Sequence, residues 1–395
     1  TLCMHPNTNP FNPGAGTPPH TLVGRDAEVA AVTTAIERAE LGRSSNGLVL
    51  HGLRGTGKTV LLGRFCEIAA ERGWVAVRVE AAASTSATFA EQLVARLAPH
   101  VIRLDRPSAG ERAKRALGAF KSFSVTVGMQ DISAGIEVEP RHLLSYGTSI
   151  EHSLPDMLRT LAEACAEDGA GVLIAVDEMH DLDPTDVRAL LAVGQEANES
   201  RAPLLLCGAG LPALPRLLSQ ARTYAERFFE FRSITWLDMA SAREALIGPV
   251  EAMGETWTEE GLEVILDCAR GYPYFLQHFG RAAWNVAAYS PIDVDDARMA
   301  RKIGFAELDQ GFFLIRWERA TRAERDYLRG MARDGDGPSR SSEVAERLGR
   351  PASALSAIRT RLIDKGIVYS PERGLIAFTV PGMATFIRRA DENGW

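Results

Sequence analysis

The chain has 395 residues, of which 46% are hydrophobic and 24% are charged. This length predicts two or three domains, and the net charge of −7 argues against a chain that coats nucleic acid or membranes with its whole surface. No apolar run is long enough to span a bilayer, so we expect no membrane contact. The five cysteines lie far apart without a CxxC pair, which predicts reduced thiols in a cytoplasmic protein.

Residues 1–20 are rich in Pro, Asn and Gly, which predicts an arm or linker without packed structure. Helix signals run from Asp26 to about Leu41. Short apolar runs then alternate with helical patterns and predict five strands: Gly47–His51, Trp74–Val79, Gly171–Val176, Pro203–Cys207 and Phe229–Trp236. The predicted fold class is therefore α/β, a mostly parallel sheet with helices on both faces, over residues 21–237.

Residues 104–153 interrupt this pattern. Lys114–Ala119 is predicted to be helical, whereas Phe123–Glu139 alternates in places and contains two glycines, which predicts a hairpin-like insertion. Residues 238–310 have an almost entirely helical pattern, and residues 311–395 predict helices followed by two short strands. We therefore expect domain edges near residues 20, 237 and 310.

The sharpest motif, GLRGTGKT at residues 52–59, fits G-x-x-x-x-G-K-[ST] and lies between a predicted strand and a predicted helix. Glycines let the backbone curl so that its N–H groups face phosphates at a helix start. Lys58 is expected to reach the β- and γ-phosphates of ATP, and the Thr59 hydroxyl to ligate Mg²⁺. The predicted phosphate-binding residues are Gly52, Arg54, Gly55, Thr56, Gly57, Lys58, Thr59 and Val60.

A second motif is the hydrophobic run Val172–Val176, which ends in Asp177 and Glu178. We expect Asp177 to hold Mg²⁺ and Glu178 to act as general base on the attacking water. The alternative is a strand that happens to end in an acidic loop. This pair favours a hydrolase over a kinase, because a kinase needs a dedicated acceptor site.

Two arginines, Arg222 and Arg227, precede the fifth predicted strand. Arg227 is a candidate catalytic residue that could reach the γ-phosphate of a neighbouring subunit. The alternative is a surface arginine in a salt bridge. His180 follows the acidic pair and is interpreted as a loop residue rather than a ligand.

With these motifs, the chain resembles AAA+/STAND-type ATPases, especially archaeal-type ATPases and origin-recognition initiators. Gly24-Arg25 with Glu28 looks like the family's N-terminal box, and Gly271-Tyr272-Pro273 looks like the G-x-P motif of a STAND helical lid. The resemblance implies that ATP binds with Mg²⁺, and that Gly24, Arg25 and Pro273 lie near the adenine. It also implies a helical lid at residues 238–310 and a winged helix at residues 311–395. Initiators carry a lid arginine where this chain has Gly-Tyr-Pro.

The C-terminal region is basic, with a net charge of +4 from residue 311 onward against −11 for the rest. Thr321–Ala332 predicts one helix, Ser341 or Ser342 is expected to cap Glu343–Leu348, and Ala352–Lys365 predicts a recognition-like helix. The charge favours double-stranded DNA as a partner, with Arg361, Lys365 and Arg373 as phosphate contacts. The outer face of the recognition-like helix is polar but weakly basic, because it carries Ser353, Ser356, Thr360 and Asp364.

The sequence thus predicts an ATP-hydrolysing molecular switch that couples its nucleotide state to DNA binding through a winged helix. The alternative is a STAND-like signalling ATPase that assembles with itself or with a protein partner and binds no DNA. A loader or regulator of another enzyme is a third interpretation.

Overall fold

A computed structural model describes residues 4–14, 16–81, 87–104, 110–133, 149–221 and 225–392. The chain divides into two compact units. The sheet unit comprises Arg25–Gly52 and Lys58–Ile234, and the helical unit comprises Thr1–Gly24, Leu53–Gly57 and Thr235–Trp395. The predicted lid and C-terminal regions share one unit and one hydrophobic core.

The sheet unit is built on five parallel strands, which are β1 (Gly47–His51), β2 (Val75–Glu80), β3 (Val172–Asp177), β4 (Leu204–Gly210) and β5 (Phe229–Ser233). Their order is β2-β3-β4-β1-β5. β3 and β4 are buried along their whole length, as expected for strands that helices cover on both faces. The predicted α/β fold class is confirmed.

Seven helices accompany this sheet in the described part of the unit: α1 (Asp26–Glu40), α2 (Lys58–Glu71), α3 (Phe89–Ile102), α4 (Glu111–Thr126), α5 (Ile150–Cys165), α6 (Pro184–Ser200) and α7 (Leu214–Ala221). The apolar faces of α3 to α7 form one core with the strands, while α1 and α2 bury residues of their own such as Ile36 and Phe65. In the described ranges, no helix combines the length and apolarity needed to cross a membrane.

The hairpin predicted from residue 123 is wrong at its start, because α4 continues to Thr126. Ala116, Phe120 and Phe123 are all buried and repeat at three- to four-residue spacing, which is a helical period. The short alternation of Phe123, Val125 and Val127 was therefore the weaker signal. Residues 134–148 of the predicted insertion lie outside the described residues.

The helical unit begins its main run with α8 (Met239–Ala252), α9 (Glu259–Ala269), α10 (Pro273–Val286), α11 (Val294–Glu307) and α12 (Leu314–Glu318). It continues with α13 (Arg322–Ala332), β6 (Ser339–Arg340), α14 (Ser341–Arg347), α15 (Ala352–Asp364), β7 (Val368–Tyr369), β8 (Leu375–Phe378) and α16 (Met383–Glu392). The three short strands form an antiparallel sheet in the order β6-β8-β7. The predicted serine cap is wrong: Arg340 is the N-cap of α14, and no side chain caps it.

The N-terminal segment packs against α10, which corrects the prediction of an unpacked arm. Phe11 is 3% exposed, and its ring fills the space beside Gly280, where a Cβ atom would lie 2.7 Å from it. The indole Nε1 of Trp284 donates a hydrogen bond to the His5 carbonyl at 3.0 Å, and the Asn9 amide donates to the Arg281 carbonyl at 3.0 Å. The many turn residues concealed two buried anchors, Met4 and Phe11.

Candidate functional site

The Gly52–Thr59 loop leaves the sheet at the carboxyl end of β1. The Gly52 N–H donates to the Gly210 carbonyl at 3.2 Å, so the loop starts beside the end of β4. Gly55 and Gly57 have φ angles of 76° and 92°, which side-chain-bearing residues rarely adopt. The glycines therefore give this loop the curled backbone that the motif predicts, and α2 begins directly after it at Lys58.

Lys58 is 8% exposed, and its ammonium donates to the Gly52 carbonyl at 3.0 Å, back across the loop that precedes it. The Thr56 hydroxyl donates to the Leu53 carbonyl at 2.9 Å and so braces the loop backbone. Within the described chain, the Thr59 hydroxyl has no hydrogen-bond partner, although the Thr59 carbonyl accepts from Arg78. Val60 follows in the first turn of α2 and is partly buried.

Asp177 is the last residue of β3, and Glu178 follows it directly. Because β4 lies between β1 and β3 and all three strands are parallel, these carboxylates and the start of the loop share one edge of the sheet. Asp177 is 8% exposed, and its Oδ1 accepts the Glu178 N–H at 3.0 Å. Glu178 has a φ of 48°, a left-handed conformation that non-glycine residues adopt uncommonly.

His180 is the neighbour of Glu178 that the sequence assigned only to a loop. Its Nδ1 accepts the Leu211 N–H at 3.4 Å and lies 3.5 Å from Glu178 Oε2. Its ring therefore spans from the end of β4 to the carboxylate at the end of β3. The sequence shows only that His180 lies two residues after Glu178. The contact of its ring with Leu211 could not be predicted, because it depends on β3 and β4 being neighbours in the sheet.

Gly24 and Arg25 flank the start of α1. Gly24 has a φ of 64°, and a Cβ atom there would lie 2.7 Å from the Ser241 hydroxyl, so only glycine fits. Arg25 is the 8% exposed N-cap of α1; burial lowers the pKa of its guanidinium, and Glu28 partly offsets this. Pro273 is the first residue of α10, directly after Gly271 and Tyr272. By unit, Arg25 belongs to the sheet unit, whereas Gly24 and Pro273 belong to the helical unit.

Arg227 is exposed in a short turn just before β5. β5 runs parallel to β1, so its start lies at the opposite edge of the sheet from the phosphate loop. Arg227 is therefore separate from this chain's own phosphate loop, and its action on a neighbouring subunit stays a prediction. Arg222 lies outside the described residues.

Two of the three predicted DNA contacts are engaged within the fold. Glu324, which is 0% exposed, accepts from Lys365 at 2.6 Å and from Arg361 at 3.2 Å. Burial alone would raise the pKa of Glu324, but hydrogen bonds from Lys365, Thr321 and Arg361 outweigh it and lower the pKa to about 2. Arg361 and Lys365 thus compensate a buried carboxylate, while Arg373 is exposed between β7 and β8.

Comparison with known proteins agrees with this geometry. Residues 21–207 match the family model described as the AAA ATPase domain, and residues 310–387 match one described as a domain of unknown function, DUF8462. The Walker-type ATPase PABY2304 of Pyrococcus abyssi is similar in fold, with a TM-score of 0.59 and 17% identity over 93% of this chain and 96% of that one. No curated protein sequence matches the chain.

Two further solved structures are more distant. The Aeropyrum pernix ORC1 protein in complex with DNA aligns at a TM-score of 0.46 and 16% identity, covering 95% of each chain. The Thermotoga maritima RuvB Holliday junction branch migration motor aligns at 0.44 and 16%, covering 94% of this chain and 95% of that one. The glycine loop and the carboxylates at the end of β3 both lie within the residues that match the AAA ATPase domain model.

Proposed function

We propose that the protein binds and hydrolyses ATP with Mg²⁺. The observation that carries this proposal is the shared edge of the sheet, where Gly52, at the start of the loop after β1, and the two carboxylates at the end of β3 flank the end of β4. The side chains fit a metal-bound nucleotide. The Thr59 hydroxyl and the second carboxylate oxygen of Asp177 make no hydrogen bond within the described chain, so both are available as oxygen ligands.

Each residue has a distinct part in this proposal. The N–H groups of the loop and the Lys58 ammonium hold the phosphates, while Thr59 and Asp177 hold the metal. Mg²⁺, when bound, neutralises charge on the phosphate oxygens. Glu178 accepts the proton of the attacking water. Gly24, Arg25 and Pro273 are proposed to bind near the adenine.

The direct test is nucleotide binding and turnover by Lys58→Ala. Removing the ammonium is expected to weaken ATP binding at least tenfold and to abolish turnover, because an unbalanced phosphate charge then faces the loop. Lys302→Ala is the matched control, since Lys302 is an exposed lysine on α11. Fluorescent-nucleotide titration and phosphate release measure both properties. Unchanged affinity in Lys58→Ala would refute the phosphate-loop assignment.

We further propose that the C-terminal region is a winged helix whose DNA binding follows the nucleotide state. The order α13, β6, α14, α15, β7, β8 with a three-stranded antiparallel sheet supports the winged helix. Coupling is supported by Leu53–Gly57, because this part of the phosphate loop belongs to the helical unit. A Cβ atom at Gly366, just after α15, would lie 3.2 Å from the Arg54 guanidinium.

The alternative is the STAND-like ATPase with a protein partner or a second copy, and the pairing of Arg361 and Lys365 with Glu324 favours it. Duplex DNA binding by Glu178→Gln distinguishes the two, measured by fluorescence anisotropy with ATP, with ADP and without nucleotide at two salt concentrations. Salt-sensitive, nucleotide-dependent binding that Arg373→Ala weakens supports the DNA switch. Absence of binding in every state would contradict it and favour a protein partner.

A further inference from the structure

Tyr272 lies at the N-cap of α10 and contacts the phosphate loop. Its side chain is almost fully buried, at 1% exposure, and packs edge-on against Phe275 with ring centroids 4.8 Å apart. Its hydroxyl donates a hydrogen bond to the Arg54 carbonyl at 2.5 Å. Both residues belong to the helical unit, so this contact lies within one compact body.

The hydrogen bond fixes the direction of one loop peptide. A trans peptide is planar, so the carbonyl of Arg54 and the N–H of Gly55 point in opposite directions. When the carbonyl is held towards Tyr272, the Gly55 N–H is held away from it. In a phosphate loop the backbone N–H groups are the donors that bind the anion, so this orientation decides whether one of them is available.

Gly55 is what permits the approach of the tyrosine. It has a φ of 76°, and a Cβ atom there would clash with the Tyr272 hydroxyl oxygen. Gly57 is the other residue of the loop with a positive φ, and a Cβ atom added there would have no neighbour within 4 Å. The close fit at Gly55 comes from the start of α10, chiefly from the Tyr272 hydroxyl and also from the Tyr274 Cβ atom at 3.2 Å.

The hydroxyl remains a donor under ordinary conditions. Burial raises the pKa of Tyr272, against smaller opposing effects of Arg316 and Arg54, so the phenol stays protonated at neutral pH. A protonated phenol has one O–H to donate, and the Arg54 carbonyl is its acceptor.

We propose that Tyr272 is a positioning residue, whose hydroxyl orients the Arg54–Gly55 peptide so that the Gly55 N–H faces the nucleotide phosphates. The affinity of the loop then depends on the start of α10: displacement of Tyr272 frees the peptide and weakens nucleotide binding. This inference rests on the proposed ATP binding and adds a means of regulating it.

The test compares Tyr272→Phe with Tyr274→Phe. The first keeps the ring and removes only the hydroxyl, and is expected to weaken binding of ADP and of a non-hydrolysable ATP analogue about three- to tenfold, the usual effect of one hydrogen bond. KM for ATP rises by a similar factor while kcat changes less than twofold. Tyr274 lies two residues along α10 and stacks on Phe312 at 4.9 Å, so loss of its hydroxyl is expected to leave affinity unchanged.

Hydrogen exchange gives a second readout that does not depend on turnover. Amides of Leu53–Gly57 are expected to exchange faster in Tyr272→Phe and at the wild-type rate in Tyr274→Phe. Wild-type affinity and exchange in Tyr272→Phe, or equal losses in both variants, would overturn the inference while leaving the ATPase proposal intact. A wild-type protein that binds no nucleotide would instead refute the ATPase proposal, and this inference with it.

Discussion

At the scale of single residues, the buried carboxylate of Glu324 contacts two cations, Arg361 and Lys365. Gly52–Thr59 could be assigned because every residue of the loop is adjacent in sequence. The pairing of Glu324 with Lys365 spans 41 residues, and no local pattern indicates it. The sequence therefore offered Arg361 and Lys365 as free cations, whereas the fold uses them to compensate a buried carboxylate.

Replacing that carboxylate tests its structural role. Glu324→Gln is expected to lower the free energy of unfolding of the helical unit by roughly 2–4 kcal/mol at pH 7, because two cations lose their buried partner. Glu343→Gln is the control, since Glu343 is about half exposed, at 48%, and its nearest arginine nitrogen is 3.5 Å away. Chemical denaturation followed by tryptophan fluorescence measures the change, with fully buried Trp317 and Trp284 as reporters in this unit.

The difference in stability between the wild type and Glu324→Gln is expected to depend on pH. The pKa of Glu324 is lowered to about 2 in the folded chain, below its usual value of about 4.3, so its stabilising contribution is fully present above pH 4.3. It is lost as the pH falls towards 2, and the wild type and Glu324→Gln should converge over that interval. A difference in stability that is constant from pH 7 to pH 2.5 would contradict the assigned ion pair.

At the scale of elements, the sequence predicted strands and helices whose hydrophobic residues repeat with a clear period. It did not predict which elements pack against each other. The five strands lie within a few residues of their predicted positions because buried parallel strands are short aliphatic runs. α4 was misread because three alternating residues near its end resembled a strand, although Ala116, Phe120 and Phe123 share a helical face. The N-terminal segment was misread because its composition indicates turns, while its two buried anchors depend on a helix more than 260 residues later.

Phe11 provides the test at this scale. Phe11→Ala is expected to lower the free energy of unfolding of the helical unit by about 3–4 kcal/mol, because it leaves a cavity beside Gly280 on α10. Asn7→Ala is the matched control in the same segment, where the side chain is exposed. Thermal and denaturant unfolding measure both variants. Equal stability of Phe11→Ala and wild type would show that the segment does not stabilise the unit.

At the scale of the whole molecule, the fold confirms the predicted α/β class. It also divides the chain into two compact units, which the sequence motifs could not show. The central residues of the motif, Leu53–Gly57, cluster with the helical unit, while Gly52, Lys58 and Thr59 cluster with the sheet unit. The spacing of residues in the sequence carries no information about this division.

The central claim is that the carboxylate after β3 activates water for ATP hydrolysis, and Glu178→Gln tests it most directly. The measurement is Mg²⁺-dependent phosphate release alongside nucleotide affinity in the same preparation. Glutamine keeps the size of the side chain and removes its basicity, so turnover is expected to fall at least 100-fold while ATP affinity stays within about twofold of wild type. Hydrolysis at the wild-type rate by Glu178→Gln would contradict the account and locate the base elsewhere.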